Sequence, residues 1–160
     1  MGNTNGAAQH RVRQAAAVCY RRVGEAVEFL LVGTNRGKWT FPKGYINGYS
    51  DREAALREAL EEAGAVGDMA PEPLCSYLHS KGVFWKGEQE FLVRAFLMEV
   101  LFTVSPAEDL RNPTWFDAAD AKQKLTQGRE LKYQKELEAL LEKALGQIRE
   151  KNQADYHRAS

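Results

Sequence analysis

Apolar stretches alternate with polar and glycine-rich segments along most of the chain. Runs of four to eight apolar or alternating residues bounded by turn residues are typical of β-strands. The pattern predicts strands over 12–20, 27–32, 39–41, 74–79, 91–102 and 114–116. The first two flank Val23-Gly24-Glu25 and predict a hairpin, whereas residues 43–50 predict an irregular loop.

A helix with clear ends is predicted between Ser50 and Gly64. Ser50 followed by Glu53 forms the Ser-x-x-Glu capping pattern, and Gly64 stands where a left-handed C-terminal cap belongs. Good helix formers fill the space between them. We therefore expect a helix between these two residues.

The C-terminal third predicts two more helices. Asp117 caps a short helix reaching about Leu125, and residues 130–151 form an amphipathic one. The apolar face of the latter comprises Leu137, Leu140, Leu141, Leu145 and Ile148. Strands with helices before, between and after them predict an α/β or α+β sandwich.

The length of 160 residues suits one domain, which we expect over residues 11–150. Residues 1–10 are small and polar and predict a disordered tail, and residues 151–160 predict a frayed end. No internal repeat and no long linker divides the chain. Oligomeric state stays open between a monomer and a homodimer.

Composition and charge narrow the class of protein. The chain is 44% hydrophobic and 28% charged, which is typical of globular domains. Its 22 basic and 22 acidic residues give no basic surplus, so binding to a nucleic-acid duplex is not expected. No apolar run is long enough for a membrane span. Cys19 and Cys75 lack metal-ligand spacing and predict reduced thiols in a cytoplasmic protein.

Three glutamates on the first helix carry the strongest chemical signal. Glu58, Glu61 and Glu62 stand at i, i+3 and i+4, where side chains project from one helix face. Like charges at this spacing repel by about 0.2–0.5 kcal/mol per pair. Spacing alone leaves two interpretations: a solvated acidic face, or a site for a hard cation such as Mg²⁺ or Mn²⁺.

The segment before the helix favours the metal site. Phe41-Pro42-Lys43-Gly44 places a lysine that can meet a phosphate beside a glycine. A glycine at this position lets backbone oxygen approach a metal ion, so the backbone of Lys43 is a further candidate ligand.

The stretch from Gly44 to Gly64 resembles the box of the Nudix hydrolase family, G-x5-E-x7-R-E-u-x-E-E-x-G-u, in which u is a bulky apolar residue. The second half is matched at Arg57, Glu58, Glu61, Glu62 and Gly64. Trp39-Thr-Phe-Pro-Lys-Gly before the box and Trp115-Phe116 after it extend the resemblance over roughly residues 11–145. The first half is degenerate: the loop is one residue short, and Tyr49 stands at the place of the family's first glutamate.

The resemblance implies an α+β fold, an α/β/α sandwich in which the box helix and the C-terminal helices flank a mixed central sheet. It also implies metal-dependent hydrolysis of a phosphoanhydride bond. It implies that Glu58, Glu61, Glu62 and the Lys43 backbone hold the metal, that Arg57 orients a box carboxylate, and that Gly44 and Gly64 are structural. The general base is expected to be Glu58 or an acid from another loop. The candidates elsewhere are Glu88, Glu90, Glu108 and Asp109.

Residues 39–44 are similar to the branch that acts on diadenosine polyphosphates and diphosphoinositol polyphosphates. Lys43, Arg36, Lys38 and Trp39 are the expected substrate-binding residues, with Trp85 and Phe84 as further stacking candidates. The sequence Lys-Gly-Glu-Gln-Glu at 86–90 is less basic than in inositol-phosphate enzymes, which favours a small nucleotide-type substrate.

Three alternatives remain at this stage: an inositol pyrophosphate phosphohydrolase, a Nudix-fold protein that binds its ligand with weak or no turnover, and an acidic helical protein without a metal site. The lone His79 in a strand is expected to be structural.

Overall fold

The structure, a computed structural model, describes residues 12–83, 87–108 and 111–159. Within these ranges the chain forms eight strands and three helices. The strands are β1 (Val12–Val23), β2 (Ala26–Gly33), β3 (Trp39–Thr40), β4 (Lys43–Tyr45), β5 (Ala65–Met69), β6 (Cys75–Val83), β7 (Gly87–Thr103) and β8 (Thr114–Asp117). The helices are α1 (Asp51–Ala63), α2 (Ala118–Thr126) and α3 (Leu131–Ala159).

The strands join into one mixed sheet with the order β3-β2-β1-β7-β5, while β4 pairs with β1, β6 with β7 and β8 with β2. The central pair, β1 and β7, is parallel over nine partners from Val12↔Phe91 to Tyr20↔Glu99. The other pairs are antiparallel. This arrangement confirms the expected α+β fold with a mixed central sheet.

Alternate residues of β1 bury their side chains on opposite faces of the sheet, as strand geometry requires. On one face Ala16, Val18 and Tyr20 belong to a core completed by α2 and α3. On the other face Ala15, Ala17 and Cys19 belong to a core completed by the alanines of α1. Helices therefore cover both faces of the sheet, and the box helix is one of the two outer layers.

Pairing between β1 and β4 determines where the candidate site lies. Ala16 is opposite Lys43, Ala15 is opposite Gly44, and the Ala17 amide donates to the Pro42 carbonyl at 2.9 Å. These bonds fix the Lys43-Gly44 segment beside the central strand, and seven residues after Gly44 the chain enters α1. The loop and the helix of the box are thus held against the same sheet.

Several predicted boundaries need correction. Residues 43–45 form a strand instead of belonging to an irregular loop, and 65–69 form a strand that was not predicted. α3 continues to Ala159, so residues 152–159 are helical instead of frayed, although their side chains are exposed. The predicted tail over 1–10 lies outside the described residues.

Among the described residues, no helix combines the length and the apolar character that crossing a membrane would require.

Candidate active site

A cavity of about 550 Å³ opens between the start of the box, the loop after β2 and the segment after β7. Its charged lining is mixed: the cations are Arg36, Lys38, Lys43, Arg111 and Arg129, and the carboxylates are Glu58, Glu62 and Glu108. A cavity of this size and charge pattern suits a small anionic ligand. It brings together predicted residues with two arginines that the sequence did not single out.

Both ends of α1 are fixed as the sequence predicted. The Ser50 hydroxyl accepts the Glu53 amide at 3.2 Å, which satisfies one of the free N–H groups of the first turn. Gly64 adopts φ 62° and its amide donates to the Leu60 carbonyl at 3.0 Å. Because both caps are formed, α1 begins and ends at these residues, and its three glutamates occupy fixed positions along it.

Glu62 is the buried carboxylate of the site, with only 1% of its surface exposed. Its Oε1 accepts the Lys43 amide at 3.1 Å, and its Oε2 pairs with the Arg111 guanidinium. Burial is the main cause that raises the pKa of Glu62 to about 8; contact with the Glu58 carboxyl raises it further, whereas Arg111 lowers it. Glu62 is therefore held in place by the Lys43 amide and the Arg111 guanidinium.

Glu58 lies on the same helix face, one turn before Glu62, and its carboxyl contacts that of Glu62. A Cβ at position 44 would collide with the Glu58 carboxylate, so Gly44 is required for this close approach. Two carboxylates in contact repel when both are ionised, and a divalent cation between them would remove that cost. Glu58 and Glu62 together therefore fit a hard cation.

The third glutamate, Glu61, does not join them. Its Oε1 accepts Nη2 of Arg57 at 3.0 Å, and neither residue lines the cavity. Arg57 also donates to the Tyr49 hydroxyl and lies 4.2 Å above the Tyr49 ring. Residues one helical turn apart, 57 with 61 and 58 with 62, thus form two separate pairs.

That Glu58, Glu61 and Glu62 hold one or more metal ions stays a prediction; of the three, Glu58 and Glu62 line the cavity and Glu61 does not. Over 12–83, 87–108 and 111–159, no group of three or more histidine, cysteine, aspartate or glutamate side chains is arranged to hold a metal. Glu61 instead forms an ion pair with Arg57, one helical turn before it.

A family model described as NUDIX domain matches residues 10–136. The chain belongs to the NUDIX domain family. A comparison with functionally curated protein sequences gave no significant match. The family match confirms the resemblance drawn from the box.

Solved structures of Nudix proteins share the fold. The Ap4A hydrolase of C. elegans in a binary complex is 23% identical with a TM-score of 0.64, covering 86% of this chain and 97% of that one. The NUDIX domain of Shewanella oneidensis NrtR, complexed with ADP ribose, is 18% identical with a TM-score of 0.63, covering 92% and 99%. A NUDIX hydrolase from Nitrosomonas europaea is 22% identical with a TM-score of 0.56, covering 80% and 86%.

The structure places three of the four expected substrate-binding residues in the cavity and one outside it. Lys43, Lys38 and Arg36 line the cavity of this Nudix domain. Trp39 does not; its ring packs edge-on against Phe116 with centroids 5.1 Å apart, as part of the core. The structure therefore favours core packing over ligand stacking for Trp39, and Phe84 and Trp85 lie outside the described residues.

The candidate general bases outside the Nudix box also differ in whether they line the cavity. Glu108 lines the cavity, and its Oε2 accepts Nε of Arg111 at 3.1 Å. Glu90 instead accepts hydrogen bonds from Lys132 and Tyr133 at the start of α3, which is a structural role. The side chain of Glu88 and all of Asp109 lie outside the described residues.

Among the lining residues that were missed as functional candidates, or taken as structural, are Gln14, His79, Arg111 and Arg129. His79 and Gln14 are both buried, and Gln14 Oε1 accepts the Lys43 ammonium at 3.2 Å. Their local sequence carries no motif, because the sheet and the loop connections bring them to the Nudix box from distant parts of the chain.

Proposed function

We propose that this Nudix-type pyrophosphohydrolase uses Mg²⁺ or Mn²⁺, held by Glu58 and Glu62, to cleave a phosphoanhydride bond in a nucleoside diphosphate-linked or dinucleoside polyphosphate compound. The observation that carries the proposal is the pair of contacting carboxylates on the wall of a cavity that five cations also line. The carboxylates suit the metal, and the cations suit the phosphates.

The divalent ion would supply positive charge to the phosphate oxygens and help to orient the attacking water. The chain's own residues would do the rest. Arg111 and the Lys43 amide fix the Glu62 carboxylate, and the Lys43 ammonium lies within the same cavity wall. The proton of the attacking water would pass to a carboxylate in the cavity, either Glu58 or Glu108.

Arg57 keeps a role in this scheme as a positioning residue. It holds Glu61 at 3.0 Å on the side of α1 next to Glu58 and Glu62. With Arg57 occupied by Tyr49 and Glu61, the Glu58–Glu62 pair is left to the metal.

A nucleotide-type substrate is supported by the mixed charge of the cavity. Glu58, Glu62 and Glu108 reduce its positive charge, whereas a diphosphoinositol polyphosphate would need a denser cationic lining. Tyr45 lines the cavity with 47% of its surface exposed and could stack on a base. The related C. elegans enzyme acts on Ap4A and the Shewanella NrtR domain was complexed with ADP ribose, so both classes belong in the test.

A second candidate is a Nudix-fold protein that binds its ligand without turnover. Two observations favour it: Arg111 already occupies Glu62, and Tyr49 replaces the first glutamate of the box. NrtR from Shewanella, also solved in complex with a 27mer DNA, shares this fold, and a shared fold does not imply a shared function.

The test is a turnover assay with Mg²⁺ or Mn²⁺ on Ap4A, ADP-ribose and an inositol pyrophosphate, comparing wild type with Glu58→Gln and Glu62→Gln. We expect kcat to fall by about 100-fold or more in both, the range for a group acting at the reacting atoms. Glu108→Gln in the same assay decides between the two candidate bases.

Glu53→Gln is the matched control, because Glu53 lies on the same helix but is exposed and outside the cavity. Its kcat should equal that of wild type. Absence of turnover for every compound, combined with ligands that raise the melting temperature, would replace the hydrolase with the binding protein.

A further inference from the structure

Arg129 lies in the segment between α2 and α3, far along the chain from the Nudix box, and lines the cavity. Its Nε donates to the Leu125 carbonyl at 2.7 Å and its Nη2 to the Trp39 carbonyl at 2.9 Å. These two bonds hold the guanidinium in one place. An arginine carries five N–H donors, so further donors remain for a ligand.

Arg111 is bound to the same pair of strands, β2 and β3. Its Nη1 donates to the Gly33 carbonyl at 3.2 Å, and Gly33 is the strand partner of Trp39. The two guanidinium groups are therefore anchored to paired residues of β2 and β3. Arg111 also pairs with the box carboxylate Glu62, whereas Arg129 donates to the carbonyls of Leu125 and Trp39.

The two arginines differ in how their charge is compensated. Arg111 forms ion pairs with Glu62 and Glu108. Within the described ranges, no carboxylate lies within ion-pair distance of Arg129, although burial is strong enough to lower its pKa. A partly buried charge without a counter-ion is costly to keep, and an anionic ligand would offset that cost.

Lys38 adds a second such charge beside it. A Cβ at Gly128, the residue before Arg129, would lie 3.8 Å from Cε of Lys38, so the lysine side chain passes next to this turn. Lys38 also lines the cavity, and among the described residues it has no carboxylate partner. Arg129 and Lys38 thus both line the cavity near the Gly128 turn, and in the described parts of the chain neither forms an ion pair with Glu58 or Glu62.

We propose that Arg129 and Lys38 form an anion subsite that binds a substrate phosphate other than the one at Glu58 and Glu62. The subsite selects compounds with three or more linked phosphates over those whose diphosphate is flanked by neutral groups. This inference rests on the proposed function for its meaning in catalysis. Binding of the phosphate chain itself needs no turnover and can be tested separately.

The binding experiment measures the Kd of inorganic tripolyphosphate by calorimetry in EDTA, for wild type, Arg129→Gln, Lys38→Met and Lys135→Met. We expect Arg129→Gln and Lys38→Met each to weaken binding about tenfold, which is typical of one charge-assisted contact. Lys135→Met, which removes an exposed charge of α3 outside the cavity, should bind as wild type does.

The kinetic experiment compares kcat/KM for Ap4A with kcat/KM for ADP-ribose in the same variants. We expect the value for Ap4A to fall about tenfold through KM, whereas the value for ADP-ribose stays within about twofold. Arg129→Lys should recover part of the loss, because it keeps the charge without the planar fork.

The outcomes separate the two claims. Unchanged tripolyphosphate binding in both variants, or absent binding in wild type, would overturn the subsite. So would weaker binding in Arg129→Gln alone with a lower melting temperature, since Arg129 also ties α2 to β3. Weaker binding in both variants without turnover of any compound would support the subsite and reject the hydrolase.

Discussion

Tyr49 stands where the Nudix box has its first glutamate, and it contacts Arg57, the arginine of the box, in two ways. Its hydroxyl accepts a hydrogen bond from Arg57, and its ring lies under the guanidinium at 4.2 Å. Arg57 in turn holds Glu61 at 3.0 Å. A hydrogen bond and a cation–π contact together can hold an arginine that a carboxylate would otherwise hold.

We therefore expect Tyr49→Ala to lower kcat about tenfold, the lower end for loss of an outer residue that orients a metal site. Tyr49→Phe keeps the ring and should lose less, and Tyr49→Glu should stay near wild type. KM should change little, because Tyr49 does not line the cavity. Steady-state kinetics gives both values.

Tyr156→Ala, which removes an exposed tyrosine near the end of α3, is the control and should leave kcat unchanged. If Tyr49→Ala turned over substrate as fast as wild type, the Tyr49–Arg57–Glu61 chain would have no role in catalysis.

At the scale of elements, Gly64 joins the end of α1 to the end of β7. Its φ is 62°, its carbonyl accepts the Val104 amide at 2.7 Å, and a Cβ would collide with the Val104 carbonyl oxygen. Two separate constraints, backbone conformation and space, therefore act on one position.

Three alanine variants separate these constraints by urea unfolding. Gly24→Ala, at φ 63° with nothing within 4 Å, should cost about 1–2 kcal/mol for the left-handed backbone alone. Gly64→Ala should cost more, because the strand end must also move. Gly146→Ala, inside α3 with open space around it, should stabilise by about 0.5–1 kcal/mol.

Equal losses at positions 24 and 64 would mean that the end of β7 yields to a methyl group at no cost. Such a result would remove the steric part of the argument while leaving the conformational part intact.

Elements with their own periodicity or caps were predictable from the sequence. α1 and α2 begin at the expected caps, Ser50 and Asp117, and the run rich in alanine and valine over 12–20 predicted the buried strand β1. β4 and β5 were missed because Gly44 and Gly67 interrupt any alternation. Those strands form because β1 and β7 lie beside them, which is a tertiary effect.

The candidate site follows the same division. Glu58, Glu62, Lys43 and Gly44 were predictable because one motif contains them. Arg111 and Arg129 were not, because each reaches the cavity by a hydrogen bond to a distant carbonyl. Glu61 pairs with Arg57 instead of lining the cavity with Glu58 and Glu62. The spacing of the residues along the helix does not specify which carboxylate Arg57 pairs with.

At the scale of the whole molecule, α3 is longer than the domain needs. Its buried face ends at Ile148, and residues 152–159 are exposed. In that last part Asp155 Oδ2 lies 3.8 Å from Nη1 of Arg22, which is a partly exposed ion pair. Such pairs contribute little to stability.

Deletion of residues 152–160 should therefore lower the free energy of unfolding by less than about 1 kcal/mol. Ile148→Ala should lower it by about 2–5 kcal/mol, because Ile148 is fully buried in the core. Denaturant titration measures both. A deletion as costly as Ile148→Ala would show that the last two turns of α3 stabilise the domain.

The parallel pairing of β1 with β7 has a consequence for how the chain is made. The two strands are separated by roughly 80 residues, although they lie side by side at the centre of the sheet. At ribosomal rates of about 5–20 residues per second, β1 waits roughly 4–16 s for its partner to emerge. During that interval the apolar stretch 15–20 lacks the strand that will lie beside it at the centre of the sheet. The nascent chain therefore exposes an apolar strand, which is the kind of segment that molecular chaperones bind. The candidate site forms only after β7 has paired with β1.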